Sequence, residues 1–266
     1  MNRGIQRLAL IATFLAFLVI VLGAYVRLSN AGLSCPDWPG CYGHVTWPKA
    51  DHEVNTANEM FPDRPFETHK AWKEMVHRYV AGFLVLLVIS VNVLAWKSTN
   101  AQTGYRPLAG LILAIILIQA ALGMWTVTLK LLPIVVMGHL LGGLCTLALT
   151  FWLALRSGLQ NRYEPGFTVQ KARPWITIGL LVVLAQIVLG GWISANYAAL
   201  ACPDLPSCQN SWWPPADFAD GFTLNREIGV DYEGGVLDLE SRVAIHLAHR
   251  IGAVLTLLTL AVVGIR

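Results

Sequence analysis

Six stretches of this sequence are almost unbroken apolar runs: Leu8–Tyr25, Val76–Trp96, Pro107–Leu129, Pro133–Leu155, Pro174–Ala195 and Val243–Ile265. Each is close to the ~20 residues a helix needs to cross the hydrocarbon core of a bilayer. Backbone polar groups find no water there and must be satisfied within the segment, so each run is expected to be a membrane helix. Proline stands at or near the start of three runs, where its missing N–H costs nothing. Only 13% of the residues are charged, against about 25% in soluble domains. The expected fold class is therefore an all-α polytopic membrane protein. The net charge of +3 is small and its basic residues are scattered, which argues against nucleic acid as a partner. Arg3 and Arg7 precede a long apolar run with no small-residue cleavage site after it, so the N-terminus reads as a first membrane helix.

The charges orient the helices. With a cytoplasmic N-terminus, the inner segments carry Arg3 and Arg7, Lys97 and Arg106, then Arg156, Arg162, Lys171 and Arg173. Short loops dense in Lys and Arg belong on that side. Every Asp and Glu except Glu164 falls in or at the edge of two long segments, Leu28–Met75 and Asn196–Arg242, which would face outward. Four of the five cysteines lie there as two C-x5-C pairs, Cys35 with Cys41 and Cys202 with Cys208, on the oxidising side of a bacterial membrane. Zinc is a poor reading of them, because neither copy has the spacing or the four ligands. A structural disulfide and a redox-active one both remain open. Cys145, inside an apolar run, is expected to be a small buried residue.

These pairs belong to an internal repeat. Leu33-Ser34-Cys35-Pro36-Asp37-Trp38-Pro39-Gly40-Cys41 returns as Leu200-Ala201-Cys202-Pro203-Asp204-Leu205-Pro206-Ser207-Cys208, and His77-Arg78 returns as His249-Arg250. The expected organisation is two tandem four-helix bundles, residues 1–166 and 167–266. The second bundle would lack its last two helices.

The repeat also concentrates the chemistry. His77 and His139 each lie near the outer end of a helix in the first half. Polar groups at that depth usually face the bundle interior, where two imidazoles from facing helices can hold a haem iron; for either alone, an interfacial hydrogen bond is the plainer reading. Arg78 and Arg250 suit haem propionates or simply snorkel to the interface. Glu74 is one turn before His77 on the same face. It can move protons or stabilise developing positive charge, or merely complement the helix dipole. The matching residue of the second half is His246, so only the first copy carries an acid. Of the two second-half histidines, His249 keeps the His-Arg context and is the better ligand candidate, while His246 would support it. His44, His52 and His69 are given no role.

Together these residues closely resemble the haem A synthase family. The resemblance runs from Gly23-Ala24-Tyr25-Val26-Arg27-Leu28-Ser29 to Cys41, then through Glu74–Arg78, Gly138-His139, the second cysteine pair and His249-Arg250. It implies eight helices in two four-helix halves and an enzyme that oxidises the C8 methyl of haem O to a formyl group with oxygen from water. It also implies His77 and His139 as ligands of the substrate haem, Glu74 as the catalytic acid and His249 as one ligand of a haem B. The four outer cysteines would pair as disulfides. The implied setting is a bacterial cytoplasmic membrane. Expected partners are the lipid bilayer, a membrane electron acceptor, haem O synthase or oxidase assembly factors, and a second copy of the chain as a homo-oligomer. The competing reading is a b-type cytochrome that exchanges electrons with a quinol and leaves its haem unaltered; Glu74, unmatched in the other half, favours the enzyme. A haem transporter or assembly chaperone would need a path across the membrane that the sequence does not reveal.

Overall fold

A computed structural model describes residues 3–97, 105–158 and 167–265. Arg162 and Glu164 lie outside the described residues, as does the segment before the expected boundary at residue 166. Among the described residues there are eight helices and no strand: α1 (Arg3–Leu28), α2 (Asp51–Met60), α3 (Thr68–Lys97), α4 (Tyr105–Thr128), α5 (Pro133–Gly158), α6 (Phe167–Ala195), α7 (Phe218–Gly221) and α8 (Leu239–Ile265). Six of them are long and apolar enough to cross a membrane, and the chain is an all-α polytopic membrane protein. One expectation needs correcting. Pro174 does not begin its helix but lies inside α6; membrane helices tolerate such a proline because neighbouring groups re-satisfy the freed carbonyl.

The described residues form two compact units. The first holds α1 to α4 and α5 from Gly138; the second holds α6 to α8 and the short run Leu132–Met137. Four helices share the core of the first unit. Ile5, Ala9, Ala12 and Ala16 of α1 face Leu84, Val88, Val91 and Ala95 of α3, with Ile112 and Ile116 of α4 and Leu153 of α5 closing the cluster. Both α1 and α3 step by four, three and four residues, which keeps one stripe on one face. The alanines matter because lipid tails are as apolar as leucine. Helices in a bilayer are held by close packing, and small residues allow the approach. The large side chains of Phe14, Phe17, Phe83 and Leu117 lie on the outer surface, where hydrocarbon solvates them. Cys145 lies there too: it is exposed on α5 rather than buried.

In the second unit α6 packs along α8, with Gly179 against Leu260 and Val263. The short α7 rests on the start of α8, and Trp192 Nε1 donates to the Gly221 carbonyl at 2.9 Å.

Each long loop is built around its cysteine pair in the same way. Cys35 bonds Cys41 and Cys202 bonds Cys208. Cys41 pairs with His44 and Cys208 with Ser211 across a two-residue reversal. Its central residues, Tyr42-Gly43 and Gln209-Asn210, all have positive φ, as a type I′ hairpin turn demands. One aspartate per loop caps the reversal. Asp37 accepts the Tyr42 and Gly43 amides at 2.6 and 2.8 Å, and Asp204 accepts those of Gln209 and Asn210 at 2.8 and 2.9 Å. The Tyr42 side chain then anchors the first loop. It is buried edge-on to Phe61 and Phe66 and donates to the Arg64 carbonyl at 2.8 Å; burial pushes its hydroxyl pKa up to about 12.

The cap of the second loop is testable by pH. The Ser207 hydroxyl, then the Asn210 and Gln209 amides, hold the Asp204 pKa down to about 2 from 3.8. A depressed carboxylate contributes stability that is present above its unfolded pKa and lost as pH falls through the folded one. Amide-exchange protection of Gln209 and Asn210 should therefore hold above pH 4 and decline between about pH 4 and 2. In Asp204→Ala, which has no acceptor, it should be low throughout; protection that ignores both the acid and the variant would disprove the cap.

Candidate functional site

Helix α3 brings the chemistry to the loop end of the first unit. Glu74 and Arg78 are one turn apart, and the Glu74 side chain is turned against the disulfide loop. Glu74 Oε1 accepts from Arg78 Nη2 at 2.5 Å. Its Oε2 lies 2.9 Å from Ser34 Oγ and accepts the Cys35 main-chain N–H at 3.0 Å. Glu74 is only 4% exposed, so these partners replace the water a carboxylate would otherwise keep.

Arg78 completes a clamp. Nη1 donates to the carbonyls of Gly40 at 2.5 Å, Asp37 at 2.9 Å and Pro39 at 3.3 Å, and Nη2 also reaches the Cys35 carbonyl at 3.3 Å. A planar guanidinium with five N–H donors suits such a cage of carbonyls. Arg250 repeats the clamp in the second unit, with Nη1 on Ser207 O at 2.7 Å and Nη2 on Cys202 O at 2.8 Å. It has no carboxylate partner among the described residues. The place of Glu74 is taken by His246, whose Nδ1 lies 3.0 Å from the Ala198 carbonyl.

The three candidate ligands share a feature that residue-type reasoning passed over. Each imidazole rests on a glycine of a neighbouring helix. A Cβ at Gly23 would stand 3.0 Å from His77 Cε1, one at Gly123 would stand 3.3 Å from His139 Cε1, and one at Gly190 would stand 3.2 Å from His249 Cε1. Gly190 follows Gly23 by 167 residues, the offset between Cys35 and Cys202, so the repeat contained the signal. His77 and His139 lie in the same unit. Both Nδ1 atoms are buried with no hydrogen-bond partner among the described residues. Orphaned buried polar atoms are rare. Two such rings, seated by glycines within one helical bundle, have the chemistry to hold a haem iron.

His249 is held differently. Gln186 Nε2 stands 3.0 Å from its Nδ1 and 3.1 Å from its carbonyl oxygen. The first unit has Val19 at the matching position, and there the main chain of Val19, not a side chain, engages the His77 ring.

Comparison with known proteins identifies the family. Residues 6–266 match the family model described as cytochrome oxidase assembly protein. The chain is 48% identical over 250 residues to the protein named Heme A synthase in Shewanella oneidensis, an alignment covering 94% of this chain and 74% of that one. It is 24% identical to the Heme A synthase of Bacillus licheniformis and 27% identical to that of Shouchella clausii, in each case over 80% of this chain and 67% of the relative.

The clamps should differ in what they hold up. Arg78→Leu strands a buried carboxylate and should cost ~3–5 kcal/mol. Arg250→Leu gives up bonds to carbonyls alone and should cost ~1–3 kcal/mol. Thermal unfolding of both variants in detergent makes the comparison; equal losses would mean that Glu74 adds nothing to the first clamp.

Proposed function

The chain belongs to the cytochrome oxidase assembly family that contains the haem A synthases, and from that premise we propose that it is itself a haem A synthase. The reaction is oxidation of the C8 methyl of haem O to a formyl group with oxygen from water. One methyl and one water give one formyl, four protons and four electrons; the electrons leave to a membrane electron acceptor. The observation that carries this reading is the pairing of two glycine-seated imidazoles, each with a buried Nδ1 unpartnered among the described residues, with a single buried carboxylate in one unit and not in the other.

Each residue has a task in it. His77 and His139 would hold the substrate haem from two helices of the first unit. Glu74 lies one turn before His77 on α3 and would take protons from the reacting methyl group or stabilise positive charge developing there. Arg78 has its terminal N–H groups on loop carbonyls and on Glu74, so we assign it to holding the acid in place. Arg250 uses one bond on each terminal nitrogen among the described residues, which leaves it the better partner for a propionate. In the second unit His249 would help to hold a haem B, whose chemistry is to pass electrons. Residues 1–166 would then be the substrate half and 167–266 the electron-carrying half. The placement of Lys and Arg supports a bacterial cytoplasmic membrane with the N-terminus inside.

Expression in membranes that contain haem O, followed by chromatography of the extracted haems, tests the activity. Haem A should appear. If haem O and haem B alone are recovered, the chain is not acting as the enzyme, and a b-type cytochrome becomes the better account. Glu74→Gln should keep its haem yet lower conversion by ~10²-fold or more. His77→Ala and His139→Ala should each change occupancy and absorption spectrum of the first-unit haem; unchanged spectra in both would remove them as ligands.

A further inference from the structure

The contacts of Ser34 contain one hydrogen too few. Its Oγ is 2.8 Å from the Ala31 carbonyl oxygen and 2.9 Å from Glu74 Oε2. A carbonyl and an ionised carboxylate both only accept, and a serine hydroxyl has one proton to donate. With Glu74 ionised, the hydroxyl serves one acceptor and leaves the other. With Glu74 protonated on Oε2, both contacts become hydrogen bonds: the carboxyl donates to Ser34 Oγ, and Ser34 donates to Ala31. Oε2 is the oxygen that can take the proton, because Oε1 faces the Arg78 guanidinium. The Cys35 N–H stays on Oε2 in either state.

The second unit shows what this arrangement is built against. Ala198, Ala201 and His246 occupy the positions of Ala31, Ser34 and Glu74. There the histidine reaches the Ala198 carbonyl directly at 3.0 Å, and no hydroxyl stands between. Each carbonyl also takes the N–H three residues on; beyond that, the Ala198 carbonyl meets the histidine itself, whereas the Ala31 carbonyl is wired to an acid through the Ser34 hydroxyl.

We propose that Ser34 is a positioning residue that keeps Glu74 hydrogen-bonded in both of its protonation states, so that the acid takes up and releases a proton without moving. The inference rests on Glu74 being the acid of the proposed reaction. When a proton from the site binds Oε2, an O–H bond forms on Glu74 and the Ser34 hydroxyl hydrogen swings from Oε2 to the Ala31 oxygen. The Ser34 O–H bond itself never breaks. Release reverses both movements. The charged and titratable groups around the carboxyl are Arg78 on its own helix, His77 one turn further along, and Tyr42 from the loop, which feels the Glu74 charge. Arg78 is fixed on Oε1 and on the loop carbonyls, and the Tyr42 hydroxyl is committed to Arg64. Among the described residues around the carboxyl, Ser34 is therefore the partner that can exchange the direction of its bond.

Infrared difference spectroscopy of the full chain in membranes, with pH steps in the absence of turnover, tests this directly. A protonated-carboxyl C=O band should appear as pH falls, vanish in Glu74→Gln, and move to higher wavenumber in Ser34→Ala, where the carboxyl has lost its acceptor. Ser34→Thr, which restores the hydroxyl, should return the band to its wild-type position. In turnover, Ser34→Ala should keep haem occupancy and lower conversion about tenfold with a displaced pH profile, and Ser34→Thr should recover most of it. An unshifted band in Ser34→Ala, or no Glu74 band at any pH, overturns the proposal. If the band shifts as described while the wild-type chain makes no haem A, the enzyme reading fails and the role of Ser34 stands.

Discussion

A single guanidinium holds the first unit's site together. Arg78 ties α3 to the Cys35–Gly40 loop through main-chain carbonyls and at the same time neutralises Glu74. An isolated carboxylate is costly to bury, and a buried pair is worth its desolvation only with good geometry and further hydrogen bonds. Here the Cys35 amide and Ser34 supply those bonds. Everything at the loop end follows from that arrangement. The loop cannot leave without uncovering the acid, and the acid cannot turn away without releasing the loop.

The duplication shows which parts of this arrangement are architecture and which are chemistry. Disulfide, hairpin reversal, aspartate cap, arginine clamp and glycine-seated histidine all occur in both units. They make a rigid socket on a pair of membrane helices. Glu74, Ser34 and imidazoles with Nδ1 atoms unpartnered among the described residues occur in the first unit, against His246, Ala201 and the Gln186-bound His249 in the second. An enzyme that modifies one haem and draws electrons through another needs that kind of divergence: the same holder, with reactivity written into one copy. The proposed roles of the two halves rest on these differences.

Much of this was legible in the residues. Hydropathy and length marked the six spans, because a bilayer leaves the backbone few alternatives, and the repeated cysteine and His-Arg motifs marked the candidate site. The rest depended on partners that carry no residue signature. Arg78 finds backbone carbonyls, which every residue has, so its type pointed to anions and could not point to the loop. Ser34 and Glu74 are forty residues apart, and only the folded loop makes them neighbours. Pro174 was misplaced because a rule for helix starts does not hold where surrounding helices can repair an interior proline. Cys145 was misplaced because an apolar context in a membrane helix does not separate the protein interior from the lipid.

The glycine seats bear on how such a protein can be changed. In an ordinary helix, alanine in place of glycine gains up to ~1 kcal/mol, and replacing helical glycines is a routine way to make a protein more robust. At Gly23, Gly123 and Gly190 that gain would be set against an imidazole that the new methyl group must push aside. Backbone rigidity and ring placement are in conflict at those three positions. A variant selected for thermal tolerance alone would drift toward alanine there and lose its histidine geometry while still folding well. Glycines without a ring above them, such as Gly82 and Gly110, have open space where the Cβ would go and are free to be replaced.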